Sequence, residues 1–321
     1  MGAALPAGWS VRPPTLADTS AILAVVHASD VASVGEADFT TDEVVEILTA
    51  PNHDMRHDSW VVTDATDAIV GWAYIDNALG APRENFDAYV DPGRGAPAHP
   101  VLLDLVLARV ARRASLAGVP SLLLRGGAIA SERPYIELLK SAGFAFSKRY
   151  ARMRRALDAA EPAPVPPAGV TVRPVRPDDE AELRAFHEVL DVAFRDTPDY
   201  QPSSYEAYRA RIAVLPGIDW DEWFVARVDG VVAAILQSST QTAEENEGWV
   251  KYLAVRREYR GRGLGRLLLG AAFHTYAGKG RRAAGLGVDL TNPTGAYRLY
   301  ESVGMTAVYE ADIYERVVTA A

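Results

Sequence analysis

The chain contains no cysteine. That excludes disulfides, thiol nucleophiles, zinc knuckles and iron–sulfur clusters, and it fits a reducing compartment. No stretch approaches the roughly 20 apolar residues that a membrane-crossing helix needs. Residues 1–14 hold neither a basic start nor the long apolar core of a secretory leader. A cytoplasmic protein with no membrane partner is therefore expected. Basic residues are in the minority, 33 Lys and Arg against 42 Asp and Glu, for a formal net charge of −9. Without clustered cations to neutralise phosphates, nucleic acid is not the expected partner. No spaced set of His, Asp and Glu calls for a metal, and none is expected.

The 321 residues have an apolar fraction of 49% and a charged fraction of 23%, which suits folded globular domains, and the length favours two of them. A Pro/Ala-rich run at 159–169 lacks amphipathic period and reads as a semi-rigid linker. The expected division is 1–158, a linker at 159–169, and 170–321.

The two stretches resemble each other in element order. Trp9–Pro13 and Val170–Pro174 alternate as short strands, each followed by a helical run, Leu16–His27 and Asp178–Phe194. Hairpins follow at 59–75 and 223–237, the second turning on Asp229-Gly230, the strongest short hairpin signal. Each then has another strand, a long helix (Val101–Leu116, Leu264–Tyr276), a buried strand, a second helix (Pro134–Ala142, Pro293–Val303) and a final pair of strands. Gly143 and Gly304 end those second helices as C-caps. The fold class is α/β, two related domains, each a mixed central sheet flanked by helices.

One loop carries most of the chemistry. A strand ending Leu253-Ala254-Val255 meets Arg260-Gly261-Arg262-Gly263-Leu264-Gly265-Arg266, and a strong helix follows. Glycines let backbone N–H groups turn into one concavity, and the helix start adds free amides and positive dipole. That makes an anion site for a phosphate or pyrophosphate. The spacing is neither the P-loop G-x-x-x-x-G-K-[ST] nor the dinucleotide G-x-G-x-x-G.

Arg260-x-x-Gly263-x-Gly265 between such a strand and such a helix resembles the acyl-CoA loop of the GNAT N-acetyltransferase superfamily. The resemblance implies acetyl-CoA as co-substrate, its pyrophosphate on the amides of 261–265. The pantetheine arm would pair with the backbone near Leu253, Ala254 and Val255, as an added strand does. Arg260, Arg262 and Arg266 would lie within reach of the phosphates. The segment 288–305 resembles the family's strand–Asn–helix signature. Asn292 is placed to cap the helix, and Asn292, Ala296 and Tyr300 recur at i+4, so one helical face carries them. A small Ala296 leaves room for the thioester. Tyr300 falls where relatives keep a general acid, and a phenol, with a pKa near 10, stays protonated at neutral pH.

The base is left open. Tandem mycothiol synthases, counted back from the loop, carry an acid where this chain has Trp249. Glu247, on the alternation face of Trp249, Lys251 and Leu253, comes first, with Glu245 and Asp289 behind it. His187 and His274 sit in helical runs and read as structural. The acceptor region includes 196–202, 219–223 and 244–247, where acids alternate with aromatics and suit a cationic amine.

The first stretch lacks this equipment. Its corresponding loop, 90–100, carries Pro92, Pro97 and Pro100, and proline has no N–H to offer an anion. Ser131, Tyr135 and Leu139 stand opposite Asn292, Ala296 and Tyr300. It is expected to keep the fold without acetyl transfer. The expected activity is direct transfer of acetyl to a primary amine of a small molecule, by a monomer or homodimer. A non-catalytic acyl-CoA-binding or scaffolding protein and a mycothiol synthase-like acetyltransferase are the alternatives.

Overall fold

The computed structural model describes residues 4–37, 39–77, 83–195, 197, 200, 202–213, 217–291 and 295–321. The chain divides into two units that are not its two halves. The first is Met1–Tyr150 with Tyr309–Ala321, the second Ala151–Val308.

In the first unit the elements run β1 (Ser10–Arg12), α1 (Thr19–Val34), α2 (Thr41–Thr49), β2 (Ser59–Thr63), β3 (Ile69–Asp76), β4 (Arg83–Val90), α3 (Ala98–Leu116), β5 (Ser121–Ile129), α4 (Arg133–Ser141) and the start of β6 (Ala145–Ala156). Strands β1 to β4 pair antiparallel in sequence, and β4 pairs parallel with β5 through the α3 crossover. One face buries Leu102, Val106 and Val110 of α3 with Phe86, Leu124 and Leu139. The other buries Ile22 and Val26 of α1 and Val44 and Leu48 of α2 over Trp72.

In the second unit the order is β7 (Val170–Pro174), α5 (Glu180–Phe194), α6 (Tyr205–Ala213), β8 (Phe224–Val228), β9 (Val231–Ser239), β10 (Glu247–Val255), α7 (Leu264–Gly278), β11 (Ala283–Asp289), α8 (Ala296–Ser302) and the start of β12 (Thr306–Thr319). β7 to β10 pair antiparallel, β10 pairs parallel with β11, and β6 lies beside β11. Leu268, Leu269, Phe273 and Tyr276 of α7 cover one face. Phe186 and Leu190 of α5 with Tyr208 and Ile212 of α6 cover the other.

Three differences from the sequence reading have physical causes. Each stretch ends in one long strand rather than a pair, and neither 145–156 nor 306–319 contains a glycine, proline or asparagine to turn it. The second of these strands serves the first unit: β12 pairs antiparallel with β5 from Ala311↔Ile129 to Thr319↔Ser121. The 159–169 run is not free chain but lies inside the second unit. Arg155 Nη2 donates to the Glu161 carboxylate at 2.6 Å, and the Glu161 carbonyl meets His274 Nδ1 at 2.7 Å. Two helices, α2 and α6, were not foreseen. The first had a readable sign: Thr40 and Glu43 form a reciprocal capping box, with Thr40 N donating to Glu43 Oε2 at 2.7 Å and Glu43 N to Thr40 Oγ1 at 3.2 Å.

Candidate acyl-CoA site

The parallel pairing of β10 with β11 stops early. It runs from Glu247↔Ala283 to Trp249↔Gly285, yet both strands continue. Residues 250–255 and 286–289 therefore part, opening a V between neighbouring strands. On its other edge β10 stays paired with β9 as far as Val255↔Ala234, with a bulge at Lys251 between Val250 and Tyr252. Leu253, Ala254 and Val255 thus keep one paired edge and turn the other toward the opening.

The Gly-rich loop stands at the mouth of this V. Gly261 and Gly263 have φ of 75° and 78°, values that favour glycine, and a Cβ on either would meet nothing within 4 Å. Gly263 is the N-cap of α7. Among the described residues, none of the amides of 261–266 donates to a carbonyl or side chain, whereas Leu267 N already reaches Gly263 O at 3.0 Å. Six successive N–H groups thus face open space at the positive end of a helix. Gly265 has a different task. Its Cβ would lie 2.8 Å from Leu299 Cδ2, so the missing side chain lets α7 close on α8.

The arginines bind the loop to its surroundings. Arg260 Nε donates to Val255 O at 3.2 Å and Arg262 Nη2 to Glu258 O at 3.2 Å, with the Arg262 guanidinium 5.2 Å from the Tyr259 ring centroid. Arg266 donates to Ser302 O.

Helix α8 begins at Ala296, after Gly295 at φ 71°, rather than at 293. Asn292, with Pro293 and Thr294, lies outside the described residues. Ala296 is half-buried and Tyr300 is 9% exposed, both against the α7 core. The Tyr300 hydroxyl makes no hydrogen bond among the described residues, and burial pushes its pKa up to about 12. It is a donor throughout the neutral range.

Glu247 sits in a different role from the base expected of it. It is 1% exposed, and both oxygens are engaged: Arg152 Nη2 on Oε1 at 3.0 Å and Arg154 Nε on Oε2 at 2.7 Å. The arginines are on β6, so the side chain reaches across the intervening β11. It passes over Gly285, where any Cβ would collide with the carboxylate. Glu247 is a clamp at the paired end of the V. Asp289 is taken up in a turn, its Oδ1 accepting from Thr291 N at 2.8 Å and Thr291 Oγ1 at 2.6 Å. Glu245 is exposed.

On the α5–α6 side of β9 and β10, three groups that sequence reasoning passed over stand out. His187 Nε2, Tyr208 Oη and Gln237 Oε1 are buried without a hydrogen-bond partner. Burial lowers the pKa of His187 below its ordinary value, so the imidazole is neutral at neutral pH, and its Nε2 is buried without a partner. Its ring lies 4.9 Å from that of Tyr208. Gln237 faces Tyr252 across the strand pair. A helical His gives no sign in the sequence that its Nε2 will be stranded. Of the acidic run at 196–202, Asp196, Pro198, Asp199 and Gln201 lie outside the described residues.

The first unit's loop is closed. Gly93 N and Arg94 N donate to Asp91 Oδ1 at 2.9 and 3.1 Å, Gly95 N to Asp91 O at 2.7 Å, and Ala98 N to Gly95 O at 2.8 Å. Its amides satisfy one another, and Leu139, opposite Tyr300, is wholly buried.

Residues 184–305 match the Acetyltransferase (GNAT) family model, a span that contains the V, the loop and Tyr300. The similarity to that family is carried by this segment. A mycothiol acetyltransferase of Thermobispora bispora is 33% identical over 172 residues, 52% of this chain and 57% of the relative. One from Streptomyces bingchenggensis is 34% identical over 159 residues, 49% of each. The chain spans about half the length of the curated relatives it matches. Among solved structures, a GCN5-related N-acetyltransferase from Sphaerobacter thermophilus superposes with a TM-score of 0.84 at 24% identity, covering 99% of this chain and 98% of that one. A tandem GNAT protein from the clavulanic acid biosynthesis pathway gives 0.69 at 17%, covering 98% and 99%. The likeness of fold thus extends beyond the matched GNAT segment. Among the described residues, no helix is long and apolar enough to cross a membrane, and no group of three or more His, Asp or Glu could hold a metal ion.

Within the matched segment, Gly263→Pro is the sharpest test of the loop. Proline cannot adopt φ 78° and removes one amide. A charge-assisted bond contributes about 1.5–3 kcal/mol, so acetyl-CoA should bind at least ~10-fold more weakly by calorimetry. Unchanged affinity would remove the loop from the site.

Proposed function

We propose that the second unit transfers an acetyl group from acetyl-CoA directly to a primary amine of a small molecule. The observation that carries this reading is the row of unpartnered amides at 261–266, set where β10 parts from β11. The diphosphate suits the amides, the pantetheine arm suits the free edge of Leu253–Val255, and the thioester then lies toward Ala296 and Tyr300. The amine nitrogen attacks the thioester carbonyl, the C–S bond breaks, the departing thiolate takes the Tyr300 proton, and the surplus proton on the new amide nitrogen leaves to solvent, from which the Tyr300 phenolate is reprotonated. No acyl-enzyme is needed, since the chain has no cysteine. The acceptor enters from the α5–α6 side, where His187, Tyr208 and Gln237 offer unpaired polar atoms. Neutral His187 is there to receive the proton the ammonium must lose.

A second reading is favoured by the relatives: the acceptor is that of the mycothiol acetyltransferases. Both are tested by following free thiol release from acetyl-CoA with a panel of primary amines, the acceptor of those enzymes included. Amine-dependent release at several s⁻¹ or more, on the order of ordinary enzymes, is expected for at least one amine. Tight acetyl-CoA binding with no release above hydrolysis for any amine would leave the non-catalytic alternative standing.

A further inference from the structure

The first unit has lost the anion loop, yet its sheet keeps an opening of the same kind. β4 and β5 pair only from Arg83↔Leu123 to Phe86↔Gly126, although both continue. The Phe86 ring lies over Gly126 and fills the paired end. Beyond it, Asp87, Ala88 and Tyr89 are only half-buried in the middle of a sheet. Register sets Asp87 opposite Tyr74 and Tyr89 opposite Trp72, so these four side chains share one face. Tyr74 donates to Asp87 Oδ2 at 2.9 Å. The Trp72 ring lies 4.5 Å from Tyr74 and 6.0 Å from Tyr89, and Phe39 stands 6.4 and 6.2 Å from Trp72 and Tyr89.

Two polar groups here lack partners. Asp87 Oδ1 accepts no hydrogen bond among the described residues. Tyr135, reaching in from α4, is 4% exposed with an unpaired hydroxyl, and it lies close enough to feel the Asp87 charge. His99 stacks on Tyr135 at 4.5 Å. Burial brings the His99 pKa down to about 4, so it supplies no charge. The charged neighbour acting on Asp87 is Asp76, another acid, and burial raises the pKa of Asp87. A half-buried carboxyl with no cation beside it is disfavoured in its charged form, and a buried hydroxyl without a partner is costly. Aromatic faces beside a carboxyl favour a soft organic cation, because ring quadrupole and negative charge attract it together.

We propose that this opening is a ligand site for an alkylammonium cation, its charge set against Asp87 and its alkyl groups against Tyr74 and Tyr89. The site lies wholly in the first unit and does not depend on the acetyl-transfer reading.

The test uses choline and its uncharged carbon analogue, 3,3-dimethylbutan-1-ol, titrated into the full chain at low salt. Choline should bind at least ~10-fold tighter than the alcohol, which isolates the charge. Asp87→Asn should weaken choline at least ~10-fold while acetyl-CoA affinity stays as in the wild type. Equal affinity for the two probes, or wild-type choline binding by Asp87→Asn, overturns the proposal. Should Asp87→Asn fail to fold, Tyr89→Leu, which removes a half-buried aromatic face from the opening, must weaken choline several-fold. Unchanged choline binding there overturns it as well.

Discussion

Replacing Tyr300 by Phe should lower kcat by about 10²-fold or more, the range that a positioned general acid contributes, and leave acetyl-CoA affinity within about twofold. The ring stays in its pocket among α7, α8 and β11, so packing is conserved. The hydroxyl has no protein partner to lose among the described residues, so the melting temperature should hold. The proton matters because a thiolate is leaving, and it matters only in the transition state. Turnover therefore falls where binding does not. The pH profile is a second readout. The acid works while protonated, and burial moves its pKa from about 10 to about 12. The alkaline fall in kcat should then lie above the range of an ordinary phenol. An unchanged kcat in Tyr300→Phe would remove Tyr300 as the acid and leave the thiolate to be protonated by water.

The parts of this molecule that the sequence made legible are those whose cause is local. Asp229-Gly230 turns the β8–β9 hairpin because both residues take positive φ, 48° and 84°. The α3 and α7 helices declare themselves by apolar period, and the loop at 260–266 by its glycines. What stayed hidden depends on distant partners. Nothing near 309–319 says that this strand will lie against β5, almost two hundred residues earlier, because alternation shows a strand but not its neighbour. The start of α8 was placed early because Asn292-Pro293 is a good local cap. His187 looked like a core histidine, and only the fold leaves its Nε2 bare. Glu247 is the clearest case. Its alternation face holds only as far as Trp249, because the bulge at Lys251 turns Leu253 to the opposite side, and its partners sit two strands away, reached only because residue 285 is glycine.

That clamp leads to the other large effect. Glu247→Gln should lower stability by about 3–5 kcal/mol, the cost of removing one partner from a buried ion pair. At about 2–4 °C per kcal/mol for a domain of this size, the second unit should melt on the order of 10 °C earlier. The loss has a definite source. Arg152 is 8% exposed, so losing the carboxylate takes the anion from a buried charge. Arg154, 42% exposed, can turn to water and suffers less. Removing the buried charge as well, with Arg152→Met in the Glu247→Gln background, should therefore recover part of the lost stability, which a base removed from an active site would not do. Activity separates the two roles. Measured well below the melting point, Glu247→Gln should keep most of its kcat, because no proton in the reaction passes through it. A variant that melted like the wild type but turned over a hundredfold more slowly would make Glu247 the base after all, and the V between β10 and β11 would need another explanation for its closed end.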